Sequence, residues 1–402
     1  MNVVIDKEKI RAALTRAVER IYPSREALES AFMDGRQLKI YLGVDPTGSH
    51  LHLGHLTNLL VLKRFQELGH KVILLIGDFT ARIGDPTDKL ATRRPLTPEE
   101  VKENLRTFKV QASRVLAFRG DNPARVMFNA KWLSRMKLED VMRLAEQVTV
   151  QQMIHRDMFA ERIKTDKPIG LHEFLYPLLQ GYDSVAMGVD MEIGGTDQTF
   201  NMLVGRDLAK ALKEKEKFVL TTQLLEDPAT GKKLMNKSEG GLINLDDGPN
   251  DMFGKVMALP DSAIVPVTNL STDLPMDEVG RLKELAARDP RDAKLALAFA
   301  VVGTVYTKTA AVRAKREFHR VFSERQKPEE VSTVSMGVAR MPLVDLLVMA
   351  KLASSKSEAR RLIEQGGVKL DDVRQDTPDA VVELGTARML QVGRHRFIKV
   401  VL

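Results

Sequence analysis

Apolar and polar positions along the chain follow two periods, one typical of strands and one typical of helices. Residues 38–44 are aliphatic and β-branched, and residues 51–68 repeat apolar positions at helical spacing with no internal proline. Residues 71–78 form a continuous apolar run that ends in turn residues, as in a strand covered on both faces of a parallel sheet. The pattern predicts a βαβ unit and therefore an α/β fold.

The same periodicity extends to both sides of this unit. Residues 6–32 carry apolar positions at helical period and predict one outer helix before the first strand. Residues 97–113 and 138–163 predict further helices, and residues 124–129 and 218–222 predict short strands.

The C-terminal part of the chain departs from the α/β pattern. Residues 276–322 are almost wholly helical, and the polar residues 325–333 predict a linker. Beyond the linker, alternating short helices and strands predict a separate small α+β unit. These elements are expected at 342–351, 355–363, 366–370 and 394–402.

Composition restricts the class of protein. A chain of 402 residues is too long for one compact core, so two or three domains are expected. Basic residues exceed acidic ones by 61 to 54, and a pI near 9.3 fits a polyanionic partner, although plain basic proteins share it. Cysteine is absent, which excludes disulfides and thiolate chemistry. With no secretory signal and no apolar run of about 18 residues, we expect a soluble cytoplasmic protein without a membrane partner.

The turn between the first predicted strand and helix has the composition of an anion site. Residues 45–49 favour turns and helix N-caps, so unpaired N–H groups and the positive end of the helix dipole lie at the strand's carboxyl end. His52 and His55 share one face of the first helical turn, and Gly54 leaves room for a flat ring. The combination indicates a nucleotide.

Two other interpretations of the histidine pair remain open at this point. A bare H-x-x-H motif equally fits a capped, solvated turn. A metal site is disfavoured, because zinc-binding helices use i, i+4 spacing with an adjacent glutamate.

A second polar group is expected at the same edge of the sheet. Ligands of open α/β sheets bind beyond the carboxyl ends of the strands, where Asp85 follows the second predicted strand. Lys89 and Arg93 come next and are either anion ligands or solvated loop charges.

A third group lies further along the chain. Tyr176, Gln180 and Asp183 stand at i, i+4 and i+7, so they share one helical face and either line a pocket or face solvent. A glycine pair then allows close backbone approach before Asp197 and Gln198, two side chains suited to ribose hydroxyls and a carboxyl group.

Residues 41–55 closely resemble the H-I-G-H signature of class I aminoacyl-tRNA synthetases, with Leu53 in place of isoleucine. The leading Tyr-x-Gly-x-Asp-Pro-Thr is similar to the tyrosyl-tRNA synthetases of bacterial type. Residues 232–241 resemble the second signature of the class, K-M-S-K-S.

The second signature is altered in this chain. Met235, Lys237 and Ser238 match it, whereas Leu234 and Asn236 stand in place of a lysine and a serine. The lysine one place before Leu234 could substitute through a shift of the loop.

The resemblance implies how L-tyrosine is bound. Tyr41 and Asp183 would meet the phenolic hydroxyl, and Gln198 would meet the carboxyl group. The α-ammonium group would be met by Asp85, Tyr176 and Gln180.

It also implies that ATP is a substrate that carries Mg²⁺ with it, without a metal site of the protein. The nucleotide would be held by Gly43, Asp45, Gly54, Asp197 and Lys237. The residues implied to act in catalysis are Thr47, His52, His55, Lys89, Arg93, Lys237 and Ser238.

The implied architecture combines three domains. A Rossmann-like catalytic domain of the α/β class covers 1–250, with a connective insertion at about 120–170 through which a homodimer forms. An α-helical anticodon-side domain covers 251–330, and a small α+β RNA-binding domain of the S-four type covers 338–402. The last domain would contact tRNA(Tyr) through Lys356, Arg360, Arg361 and Lys369.

Three alternatives were weighed against a tyrosyl-tRNA synthetase. A small nucleotidyltransferase would have no use for the tyrosine-pocket residues or for an RNA-binding domain. A tryptophanyl enzyme lacks the terminal domain. A non-enzymatic RNA-binding paralogue is favoured only by the altered second signature.

Overall fold

The computed structural model describes residues 2–87, 96–154, 157–236, 241–322, 333–393 and 396–402. These residues form two compact units, Met1–Ala311 and Val312–Leu402. Each unit has its own sheet.

A twisted sheet of six strands, counted over the described residues, forms the centre of the first unit. Its strands are β1 Val18–Tyr22, β2 Lys39–Val44, β3 Lys71–Ile76, β4 Arg125–Phe128, β5 Met191–Gly195 and β6 Phe218–Thr222. Their spatial order is β1-β6-β5-β2-β3-β4, in which β1 runs antiparallel to β6 and all other neighbours are parallel. The α/β fold class is therefore confirmed.

Helices cover the sheet and extend beyond it. The helices that precede β5 are α1 Lys7–Ala13, α2 Arg25–Met33, α3 Leu53–Glu67, α4 Thr80–Ile83, α5 Pro98–Leu105, α6 Phe108–Ala112, α7 Ala130–Leu133, α8 Leu138–Ala145, α9 Val150–Ile154, α10 Asp157–Lys164 and α11 Leu171–Met187. The later ones are α12 Thr199–Lys213, α13 Pro249–Met257, α14 Ile264–Ser271, α15 Met276–Arg288 and α16 Pro290–Val305. Helix α17, Lys308–Phe322, begins in the first unit and continues into the second.

The predicted βαβ unit is formed by β2, α3 and β3. The residues of β3 after Lys71 are buried, as expected for a strand covered on both faces, and Tyr41 of β2 pairs with Ile73. The carboxyl ends of β2, β3 and β5 consequently meet at one edge of the sheet.

The prediction of one helix over residues 6–32 is wrong. Ala17 has a φ of 62°, which interrupts the helix, and Val18–Tyr22 becomes β1 against β6. Ser24 then caps α2 through a hydrogen bond from the Ala27 amide. The apolar spacing in this segment fits a helix, but residues 18–22 form a strand because they cover the open edge of β6.

The stretch predicted to be helical over residues 138–163 is helical, but it is divided into shorter helices. The segment forms α8, α9 and α10, and the side chains of Thr149 and Gln152 exchange hydrogen bonds with backbone amides at the start of α9. Local capping groups break the run although its apolar period continues.

Helices α13–α16 pack within the first unit. Arg16 ties them to the N-terminal segment, since its guanidinium donates to the carbonyls of Asn269 at 3.1 Å and Thr272 at 2.7 Å. The domain boundary predicted near residue 250 falls at the start of α13 and stays a prediction.

The second unit is the small α+β unit expected at the C-terminus. Its elements are β7 Thr333–Ser335, β8 Arg340–Pro342, α18 Leu343–Met349, α19 Lys356–Glu364, β9 Val368–Leu370, β10 Val373–Gln375, β11 Val381–Glu383, β12 Arg388–Val392 and β13 Arg396–Val401. The main sheet has the order β10-β9-β12-β13-β7, and β8 pairs with β11.

Across the residues that the structure describes, no helix is both long enough and apolar enough to cross a membrane.

His70 is a buried titratable group at the base of the first sheet. Its Nδ1 accepts a hydrogen bond from the Leu38 amide at 3.2 Å, and its ring stacks on Phe32 with centroids 4.4 Å apart. Burial lowers the pKa of His70 from 6.5 to about 4. The folded protein therefore holds this imidazole neutral where the unfolded chain would protonate it.

We expect His70 to make the first unit less stable in mild acid. Because its folded pKa lies below its unfolded pKa, its contribution is complete above pH 6.5 and is lost as the pH falls toward 4. Between pH 7 and pH 4.5 the wild type should lose roughly 2 to 3 kcal/mol more unfolding free energy than His70→Asn, whose amide oxygen takes the place of Nδ1 as acceptor from Leu38. Urea unfolding followed by the fluorescence of the single tryptophan, Trp132, measures this difference. Parallel losses in both proteins would contradict it.

Candidate active site

A cleft of about 1030 Å³ opens at the carboxyl ends of β2, β3 and β5. It gathers residues that the sequence placed in separate motifs. The predicted residues that line it are Tyr41, Gly43, Asp45, Thr47, His52, Gly54, His55, Asp85, Tyr176, Gln180, Asp183, Asp197 and Gln198.

Four predicted catalytic residues fall outside the described part of the chain. They are Lys89, Arg93, Lys237 and Ser238. Their roles stay predictions from the sequence.

His52 and His55 form a reciprocal cap at the start of α3. The Gly54 amide donates to His52 Nδ1 at 3.2 Å, and the His52 amide donates to His55 Nδ1 at 3.1 Å. Since both Nδ1 atoms accept, each neutral ring carries its proton on Nε2. A Cβ on Gly54 would lie 3.1 Å from the His52 ring, so glycine keeps this turn tight. The pair is thus both a cap and a set of donors beside the turn.

Asp45 is held from two sides. Thr80 Oγ1 donates to Asp45 Oδ1 at 2.7 Å, and the Tyr176 hydroxyl donates to Oδ2 at 2.8 Å. A Cβ on Gly77 would stand 1.8 Å from Asp45 Oδ1, which makes glycine necessary there. The sequence placed Asp45 with ATP and Tyr176 with an ammonium group, and the structure brings the two together. Gly77 and Thr80 were missed because only the fold brings them to Asp45.

Asp183 is a carboxylate buried at the closed end of the cleft. Trp132 Nε1 donates to its Oδ1 at 2.7 Å, and Asn129 Nδ2 donates to Oδ2 at 3.1 Å. Burial raises the pKa of Asp183 well above its usual value, and these two hydrogen bonds counteract the shift. The sequence assigned Trp132 to the connective insertion, whereas its indole orients a residue of the site.

Tyr41 lies beside Asp183 at this end. Its hydroxyl is 3.0 Å from Ser184 Oγ, and burial raises the pKa of Tyr41 well above 10, with Glu192 and Asp183 adding to the shift. The tyrosine therefore stays protonated.

A cluster of side-chain amides forms another part of the site. Gln198 Nε2 donates to Asp85 Oδ2 at 2.6 Å, and Gln180 Nε2 donates to Glu192 Oε1 at 3.2 Å. Asn201 connects them, because its Nδ2 donates to the amide oxygens of Gln180 at 3.0 Å and Gln198 at 3.1 Å. Asn201 and Glu192 escaped the sequence analysis, since neither belongs to a recognisable motif.

Asp197 lies at the mouth of the cleft with a cation from the altered signature. Lys233 Nζ donates to Asp197 Oδ2 at 2.9 Å. A Cβ on Gly195 would be 2.5 Å from Asp197 Oδ1, so the glycine permits this carboxylate position.

The four predicted RNA-binding residues all lie on the surface of the second unit. Lys356, Arg360 and Arg361 project from α19, and Lys369 projects from β9. Lys356 pairs with Asp345 at 2.6 Å and Arg360 pairs with Asp379 at 3.0 Å, so part of this charge is balanced.

Family comparisons match both units. Residues 33–323 match the family described as tRNA synthetases class I (W and Y), and residues 341–386 match the S4 domain. The chain is 42% identical over 392 residues to a tyrosine–tRNA ligase of Moorella thermoacetica, covering 96% of this chain and 94% of the relative. It is 42% identical over 395 residues to that of Haemophilus ducreyi, covering 98% of each.

A solved structure has the same fold. The C-terminally truncated mitochondrial tyrosyl-tRNA synthetase of Aspergillus nidulans superimposes with a TM-score of 0.65 at 24% identity, covering 79% of this chain and 94% of the other.

Proposed function

Because the chain belongs to the class I tRNA synthetases of the tryptophan and tyrosine family, we propose that its cleft binds L-tyrosine and ATP side by side and forms tyrosyl-adenylate. The chain is a tyrosine–tRNA ligase by its full-length relatives. The observation that carries the proposal is the buried Asp183 carboxylate, which Trp132 and Asn129 orient at the closed end beside Tyr41.

The cleft matches the three polar ends of tyrosine. The phenol reaches Asp183 and Tyr41 at the closed end, where a buried acceptor without a donor would be costly. The ammonium group lies against Asp85 with Tyr176 and Gln180. The carboxyl group faces Gln198, whose amide is held by Asn201 and Asp85.

ATP occupies the open end. Gly43, Asp45 and Gly54 border the nucleotide, and Asp197 receives the ribose hydroxyls. Asp197 is paired with Lys233, so ribose binding must replace that ion pair with hydrogen bonds.

The reaction needs positioning and charge neutralisation rather than a covalent enzyme intermediate. A tyrosine carboxylate oxygen attacks the α-phosphorus of ATP, the bond to the bridging oxygen breaks, and pyrophosphate leaves with Mg²⁺. Thr47, His52 and His55 stabilise the phosphate charge from the turn and helix start.

The sequence adds further cations to the phosphate end. Lys89, Arg93 and Lys237, with Ser238, are assigned to the departing pyrophosphate. In the second step the terminal ribose hydroxyl of tRNA(Tyr) attacks the tyrosyl carbonyl and AMP leaves.

The second unit is proposed to hold tRNA. It contains the S4 domain, and its exposed basic residues can neutralise RNA phosphates. We place the protein in the cytoplasm, where it would meet its tRNA.

A homodimer is proposed for the first unit. Large apolar side chains are exposed along the segment between β4 and α11, which supports a protein interface there. They are Phe128, Leu138, Met142, Val150, Ile163 and Leu171.

We predict that exchange of labelled pyrophosphate into ATP requires L-tyrosine and is not supported by L-tryptophan. Asp183→Ala should lower the exchange rate by on the order of 100-fold or more, because the phenol loses a charged partner in a buried site. Asp207→Ala, at an exposed position of α12, is the matched control. Exchange with tryptophan, or equal rates for the two variants, would refute the assignment.

Ending the chain before Met336 should leave adenylate formation largely intact and weaken tRNA charging. The expected separation follows from the division of the chain into two compact units. Pyrophosphate exchange and aminoacylation are measured on the same preparation. A parallel fall of both activities would argue against a role of the second unit in RNA binding.

The altered signature gives a prediction about two lysines. Lys237→Ala should slow the pre-steady-state burst of tyrosyl-adenylate by on the order of 100-fold, as for a lost oxyanion donor. Lys233→Ala removes a half-exposed ion pair with Asp197 and should keep the burst within about fivefold of the wild type. The opposite ranking would show that the loop is shifted by one residue and that Lys233 fills the catalytic role.

A further inference from the structure

A fully buried lysine lies beneath the phenol end of the cleft and has no role in the reaction described above. Lys217 directly precedes β6, and its side chain is 0% exposed. Its ammonium forms an ion pair with Glu192 and donates to Ser184 Oγ at 2.8 Å. Burying an ammonium group costs free energy unless hydrogen-bond acceptors face its N–H groups. The acceptors of Lys217 therefore indicate its role.

Two glycines make the space that this ammonium occupies. A Cβ on Gly205 of α12 would lie 2.7 Å from Lys217 Nζ and 3.1 Å from Ser184 Oγ. A Cβ on Gly181 of α11 would lie 3.0 Å from the Gly205 amide nitrogen. The two helices therefore approach closely where Lys217 meets Ser184.

The donor inventory fixes the direction of the hydrogen bonds. An ammonium only donates, so Ser184 Oγ accepts from Lys217. The single Ser184 proton can go to Glu192 Oε2, 3.3 Å away, or to the Tyr41 oxygen, 3.0 Å away. Glu192 Oε2 already accepts from Lys217, and the Tyr41 oxygen is the nearer acceptor, so Ser184 donates to Tyr41.

This direction decides what Tyr41 offers to a ligand. With its oxygen accepting from Ser184, Tyr41 turns its own proton toward the cleft, next to the acceptor Asp183. A phenol accepts from Tyr41 and donates to Asp183, whereas phenylalanine does neither.

We propose that Lys217 is a positioning residue that, through Ser184, orients the Tyr41 hydroxyl, so that the closed end of the cleft offers a phenol one donor and one acceptor. The inference rests on the proposed placement of the phenol at Tyr41 and Asp183. Glu192 extends the connection, since its other oxygen accepts from Gln180 at 3.2 Å. Lys217 thereby links the phenol end to the ammonium end.

Ser184→Ala tests the relay while keeping the ion pair of Lys217 with Glu192. In pyrophosphate exchange, kcat/KM for tyrosine should fall about 3- to 10-fold, mainly through KM, while kcat/KM for phenylalanine stays constant. Thr221→Val is the matched control, because it removes a buried hydroxyl that donates to the Arg20 carbonyl in the same sheet. Equal losses for the two amino acids would overturn the inference.

Lys217 itself is tested together with its counter-ion. Lys217→Met alone would leave a buried charge unpaired, so it is combined with Glu192→Gln. Without the ammonium, the Ser184 proton can turn to the amide oxygen at position 192, which leaves the Tyr41 hydroxyl without a fixed orientation. The ratio of kcat/KM values for tyrosine and phenylalanine should drop about 3- to 10-fold. An unchanged ratio in a folded double variant would refute the role of Lys217.

A double-mutant cycle separates this inference from the proposed function. Tyr41→Phe should lower the tyrosine to phenylalanine ratio, and adding Ser184→Ala should then have no further effect. Full additivity would show that Ser184 does not act through Tyr41 and would overturn the inference alone. An unchanged ratio in Tyr41→Phe would refute the placement of the phenol, and with it the inference.

Discussion

Burying neighbouring carboxylates under one cleft is the constraint on which the rest of this site depends. Asp183 and Glu192 are each 2% exposed, and their mutual repulsion, added to burial, raises the pKa of Asp183. Each carboxylate survives there only because fixed donors face it, an indole and an amide for Asp183 and an ammonium for Glu192. Removing one donor costs more than the bond that is lost, since the remaining charge stays buried. The cleft is therefore specified by its donors as much as by the acids that contact substrate.

The donors come from distant parts of the chain, which makes the fold and the site interdependent. Trp132 follows β4, Lys217 precedes β6, and both reach side chains carried by α11 or β5. They meet because parallel strands bring their connections to one region and because Gly181 and Gly205 let α11 and α12 approach closely. A change in helix packing would thus alter the hydrogen bonds of the cleft without touching any residue that lines it.

The sequence correctly predicted the helices and strands that are determined by neighbouring residues. The strands at 38–44 and 71–78, the helix between them and the shared face of His52 and His55 all appear, since apolar period and capping residues determine them. The cleft lining was likewise anticipated from motifs. The outer helix over 6–32 failed because pairing of β1 with β6 overrides local period. Ser184, Glu192 and Lys217 were missed since isolated polar residues carry no pattern, and only their burial and mutual contacts show a role.

Selectivity for a substrate hydroxyl depends on whether the polar groups of the site can form hydrogen bonds with one another when that hydroxyl is absent. A flexible pocket would let Tyr41 and Asp183 turn toward each other when phenylalanine enters, and little binding energy would be lost. Here Trp132 holds Asp183, and Ser184 holds the oxygen of Tyr41, so neither group can rearrange without breaking another buried bond. Phenylalanine then leaves a donor and an acceptor unpaired, which is the condition for strong rejection by a hydrogen-bonding site, and the tyrosyl enzymes are themselves the usual example of that rule. The buried lysine contributes by making relaxation costly, and a charge with no contact to substrate can in this way decide which amino acid is used.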